Sequence, residues 1–174
     1  SQKDWEDTFN GISDWISLLD KDGRILRSNK SIHSLFGLDS REICGRHCYE
    51  VVHGSKDWKP DCPFVRMRQS GKREVSEFLL KEGGPWLQVA VDPITDANGN
   101  LIQAVHIVQD ITLRKKAEQD LRDSEERFNL FMTNSPMIAF IKDSNFRVVY
   151  LNEAFEKFFG IRLSDAVGKT DFDL

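Results

Sequence analysis

The chain carries one set of residues twice in a single register. Asp20, Arg24, Asn29, Phe36, Gly37 and Gly45 recur as Asp143, Arg147, Asn152, Phe159, Gly160 and Gly168, every pair 123 positions apart. Six identities held over about thirty residues without an insertion are beyond chance, and they define a module of roughly 110 residues plus a connector, used in tandem. The second copy runs from about residue 125 to Leu174, the position that matches Val51. It is expected to be the N-terminal half of the module, either cut from a longer chain or stabilised by another one.

Composition bounds the rest. Of 174 residues, 40% are hydrophobic and 30% charged, as in an ordinary soluble globular protein. A formal charge of −4, with no basic stretch interleaved with aromatics, argues against a nucleic-acid surface. The run Arg114-Lys115-Lys116 is followed at once by acids and reads as a solvated helix face. No apolar segment reaches the roughly eighteen residues that span a bilayer, so no membrane contact is expected. Three cysteines crowd between Cys44 and Cys62, an odd number unlike a secreted disulfide framework, which places the chain in the cytoplasm.

Periodicity divides the first copy (1–112) into a helical opening at 3–12, two early strands, a helical middle and three late strands. The Asp20-Lys21-Asp22-Gly23 turn separates the early strands, and Asn29 sits where a helix cap belongs. Val75, Phe78 and Leu80, then Trp86 to Val91, then Ile102 to Ile107, mark the late strands. Their connections are too short for crossovers, so they pair antiparallel. A connector helix (113–130) follows. Its residues Leu113, Ala117, Leu121, Ser124, Phe128 and Phe131 form a narrow seam at spacings of 4, 4, 3, 4 and 3. That seam suits either a helix packed on its own domain or a parallel coiled coil between two chains.

The run Leu-Leu-Asp-Lys-Asp-Gly-Arg-Ile, then Asn29, Leu35-Phe36-Gly37, Gly45, Gly99-Asn100 and Asp110-Ile111-Thr112 resembles the Per-Arnt-Sim (PAS) sensor family. The stretch from Thr112 to Phe128 is similar to the connectors between tandem PAS domains of bacterial signalling proteins. The resemblance implies an α+β fold, a five-stranded antiparallel sheet with helices on one face. It also implies a cytoplasmic sensory module relaying a small-ligand, redox or metal signal to a C-terminal output domain. A sensor histidine kinase is the first expectation for that output. The alternative is a ligand-free dimerisation module of a diguanylate cyclase, phosphodiesterase or transcriptional regulator. A homodimer through the connector and PAS surfaces is expected. So is a relay through Asp110, Thr112, Ala117 and Leu121.

Chemistry concentrates in one segment. Cys44, Cys48, His53 and Cys62 supply soft ligands for metal or haem, or a thiol pair for redox change. Val167 and Asp171 replace Cys44 and Cys48 in the second copy, so this handle belongs to the first copy alone. The Cys…His-Gly…Cys-Pro pattern is similar to a subset of bacterial PAS domains, although Lys59 stands where that subset often has a further cysteine. Gly45-Arg46-His47-Cys48 resembles the light-oxygen-voltage branch. There Leu87 and Val108 replace flavin-binding polar residues, which makes flavin an unfavourable occupant. Otherwise the cysteines pack as small hydrophobes. Phe36, Val51, Phe64, Phe78, Trp86 and Val105 are the candidates to line a ligand pocket, with Phe78 and Trp86 favoured. His33 and His106 have no partners at useful spacing. No nucleophile elbow, phosphate loop or metalloprotease motif is present, so no catalytic residue is assigned.

Overall fold

Apolar residues three and four apart wind Gln2–Gly11 into a first helix, α1, on which Trp5 and Phe9 stack with ring centroids 4.7 Å apart. Alternation then takes over. Trp15–Asp20 (β1) buries Trp15, Ser17 and Leu19 on one face and turns back into Ile25–Ser28 (β2). Asp20 Oδ1 accepts the amides of Asp22 and Arg24, which folds the turn between them. Gly23 completes it at φ +83°, with the Trp58 ring so close that a Cβ there would lie 2.3 Å from it. These features belong to a computed structural model that describes residues 2–174.

Three short helices follow, Ile32–Phe36 (α2), Cys48–His53 (α3) and Pro63–Ser70 (α4), the last opened by a proline at its first turn. The late strands are Glu74–Leu79 (β3), Trp86–Thr95 (β4) and Leu101–Asp110 (β5). All five pair antiparallel in the order β2-β1-β5-β4-β3, so β5 is paired on both sides and β3 is an edge. The helices α2 to α4 cover one face. Ile32, Val51, Val52, Phe64 and Met67 pack there on Trp15, Leu19, Ile25, Leu87, Val89, Val91, Ala104 and Val108. Each fully buried side chain of this size contributes roughly 1.5–3 kcal/mol.

Asn29 is not the cap that its position promised. Its Oδ1 accepts the Ile16 amide, and its Nδ2 donates to the carbonyls of Phe9 and Asp14, so it ties β1, β2 and α1 together. Helix α2 starts at Ser31 with no side-chain cap.

Helix α5, Thr112–Asn134, buries no residue. Leu113 is 85% exposed and Leu121 62%, so this part of the apolar seam is open to solvent, whereas Phe128 further along meets Tyr150 edge-on, with ring centroids 5.3 Å apart. The chain divides into two compact units, the first ending at Lys115 and the second running from Lys116 to Leu174. In the second, Phe140–Lys142 (β6) and Val148–Leu151 (β7) form an antiparallel pair, followed by Glu153–Phe159 (α6) and Leu163–Ala166 (α7). Here Asn152 does cap its helix, accepting the Phe155 amide. It also accepts from Ala139 and donates to Met132 and Met137.

Candidate functional site

Strand parity decides which side chains reach the covered face. Phe78 pairs with Leu87, Val89 with Val108, and Val91 with His106, and these point toward the helices. Val105 pairs with Leu18 and Asp92, and so lies on the opposite face. Trp86 shares that outer face, with the Lys115 ammonium 5.2 Å from its ring centre. Trp86 and Val105 therefore line no pocket beneath the helices. The other four candidates do face inward: Val51 and Phe64 are buried, Phe36 meets Trp15 edge-on at 5.4 Å, and Phe78 contacts His53 at 4.9 Å.

The cavity there is small. It measures about 10 Å³, room for one water at most. Cys48, His53, Cys62, Phe78, Val89 and His106 are among its walls. Helix α3 brings Cys48 at its first position and His53 at its last, while Cys62 sits just before α4. His106 comes from β5, fully inside, with Nδ1 3.4 Å from Ser17 Oγ.

The electrostatics are those of a dry site. Burial pushes the Cys48 thiol far above its ordinary range, and the neighbouring Cys62 adds to the shift. Burial, aided by the Lys59 charge, lowers His53 to about 4. Burial and then His53 lower His106 to about 3. Both imidazoles are neutral at physiological pH, so they present lone pairs rather than charge.

Cys44 does not join this group. It is exposed, and its thiol lies toward the carbonyls of Leu26 and Ser40. Among the described residues no set of three or more His, Cys, Asp or Glu is arranged to hold a metal ion. The four-ligand set of Cys44, Cys48, His53 and Cys62 is thus not assembled in this geometry. A flavin does not fit either, because Leu87 and Val108 are fully buried core residues and the cavity would have to open many-fold. His33 is exposed. His106 is the site residue that sequence spacing missed. Its only signal was a histidine set between apolar pairs, Ala104-Val105 before it and Ile107-Val108 after it.

At the sheet's end two of the four residues expected to form a relay, Asp110 and Thr112, are joined by hydrogen bonds. The Thr112 hydroxyl donates to Asp110 Oδ1 at 2.5 Å and accepts the Trp86 amide at 3.0 Å. The Ile111 amide donates to the Trp86 carbonyl, and the Thr112 amide to Asp110 Oδ1. Ala117 and Leu121 lie further along α5, both exposed. Arg114 and Lys115 are not simply solvated, because both reach Glu77 on β3, at 2.6 and 2.7 Å.

The second unit has a roomier cleft of about 370 Å³, walled by Phe140, Val148, Leu151, Phe155, Phe159 and Ile161, with a Lys142–Asp171 ion pair at its lining. None of these residues offers a thiol or imidazole.

An antiparallel five-stranded sheet with short helices on one face, entered by an Asn-tied hairpin and left through a bonded Asp-Ile-Thr, defines a PAS domain. The family model described as PAS fold matches residues 9–116 and 132–174, and the chain belongs to this family. Sporulation kinase E of Bacillus subtilis (strain 168) is 26% identical over 164 residues, which cover 92% of this chain and 21% of that protein. The chain thus spans about a fifth of that relative's length. Among solved structures, an RNA-binding light-oxygen-voltage receptor aligns with a TM-score of 0.55 at 15% identity, over 72% of this chain and 37% of the other. The PAS domain of a Colwellia psychrerythraea protein aligns at 0.48 and 21% identity, over 64% and 97%. Among the described residues no helix is long and apolar enough to cross a membrane.

Proposed function

We propose that the chain is a cytoplasmic sensory module. The cavity of the first unit registers a small-molecule, redox or metal signal, and α5 carries it to an output domain, for which a histidine kinase is the leading reading. The carrying observation is the bonded junction at Thr112. One hydroxyl bridges the end of β5 to the start of β4, so a shift between these strands must move the first turn of α5. Two-state helix shifts of this kind are small and discrete. The likeness to sporulation kinase E supports the choice of output. Two thiols and two neutral imidazoles line the cavity, but burial keeps the Cys48 thiol protonated and no three of these groups are set as ligands, so a soft metal or an oxidant would act only by opening it.

The test is a thermal-shift series on the purified chain with zinc, copper(I) and hydrogen peroxide, alongside its optical spectrum and metal content. The wild type should respond to at least one agent and Cys48→Ala should not. A colourless, metal-free protein that ignores all three would overturn sensing at this cavity.

A second reading is favoured by the cavity's size. With room for one water and the apolar seam of α5 open at Leu113 and Leu121, the module serves as a ligand-free dimerisation element, its partner a second copy of this chain.

A further inference from the structure

Strand β3 touches both ends of the proposed relay. Phe78 points inward and lies against His53 at the cavity, with ring centroids 4.9 Å apart. Its neighbour Glu77 points outward, because successive side chains of a strand alternate. There Glu77 accepts from Gln88 Nε2 at 3.0 Å and pairs with both Arg114 and Lys115 in the first turn of α5. One strand therefore holds the cavity wall with one residue and the connector helix with the next.

Arg66 of α4 strengthens the cavity side of this linkage. Its Nε donates to the Glu74 carboxylate, and Nη2 to the Val75 carbonyl. Its Nη1 donates to Ser76 Oγ and to the Asp61 carbonyl, next to Cys62. The loop that carries Cys62 is thus clamped to β3 from the inside. Motion of that loop takes β3 with it.

Two routes from cavity to helix are then open, and topology separates them. Strand β5 leads covalently into α5 but is paired on both flanks, so it resists displacement. Strand β3 is paired only to β4, and an edge strand moves at lower cost.

We infer that β3 is the coupling element of this molecule, with Phe78 as its cavity contact and Glu77 as the removable pin that passes displacement to α5. The inference deepens the sensory reading and rests on it.

A four-way comparison tests it: the unsubstituted chain, Phe78→Leu, Glu77→Gln and the double substitution. The readout is hydrogen exchange at the amides of Lys115, Lys116 and Ala117, with the β1 and β5 amides as the check that each variant is folded. Phe78→Leu should change exchange in that first turn roughly two- to fivefold, the range that ion pairs of modest exposure support. The change should vanish when Glu77 is Gln. An equal change in both backgrounds, or no change in either, overturns the β3 route. No ligand enters this measurement. A blank thermal-shift series beside a positive result would remove the sensory reading and leave the coupling, and the reverse pattern would remove only the β3 route.

Discussion

The polar residues and glycines that repeat across the two units close hydrogen bonds that also repeat. Asp20 and Asp143 each fold a turn by accepting two amides from within it. Arg24 reaches the Gly45 carbonyl and Arg147 the Gly168 carbonyl. The amide of Gly45 bonds Ile25 and that of Gly168 bonds Val148, in backbone conformations with φ of +84° and +78°. Asn29 contacts Phe9, Asp14 and Ile16, while Asn152 contacts Met132, Met137 and Ala139, the same offset throughout. Both asparagines are buried, so removing one leaves several backbone groups unpaired away from water. Asn29→Ala and Asn152→Ala should each cost about 1–3 kcal/mol in their own unit, read from urea denaturation. A loss below a few tenths of a kcal/mol would show that water replaces the amide freely.

At the scale of elements, the strands were legible and their facing was not. Alternation placed β4 and β5 correctly, but Trp86 to Val91 is apolar at almost every position, and β5 carries apolar residues at both parities. The inward position 106 is a histidine, which reversed the apparent phase and drew Val105 inward. The charge run at residues 114–116 hid its partner because Glu77 lies thirty-seven positions away, beyond any helical or hairpin spacing. The reach of Asn29 to three separate segments was likewise invisible to a rule that reads asparagine before a helix as a cap. The seam of α5 fared differently. Its 3–4 spacing was plain, with Leu113 and Leu121 exposed and Phe128 against Tyr150. On the dimerisation reading proposed above, Leu121→Asp places a charge at the centre of this seam and should convert the dimer to monomer in light scattering. Retention of the dimer would place the interface elsewhere.

For the whole molecule, the buried imidazoles tie stability to pH. His53 and His106 stay neutral in the fold down to about 4 and about 3, whereas the unfolded chain binds protons at about 6.5. Protons are therefore taken up preferentially by the unfolded state as pH falls below about 6.5, and stability declines until the folded imidazoles also titrate. Above that pH the contribution is constant. Glu77, held down to about 2 by hydrogen bonds from Lys115, Arg114 and Gln88, adds a later loss. Its stabilisation is full above the ordinary value of 4.5 and disappears as pH drops through about 2. The urea midpoint should fall between about pH 6.5 and about pH 4, and His106→Gln should flatten part of that slope. An unchanged slope in His106→Gln would place the proton uptake on other groups.

The sensory reading requires transmission from the cavity to α5. Cys48→Leu overfills a space sized for one water and so imitates occupancy from within. Backbone amide chemical shifts of the whole chain, compared with and without that substitution, read the consequence directly. Transmission predicts shifts at Thr112 to Leu121 as well as beside the cavity. Shifts confined to α3, α4 and the strand residues that line the cavity, with α5 unmoved, would contradict it.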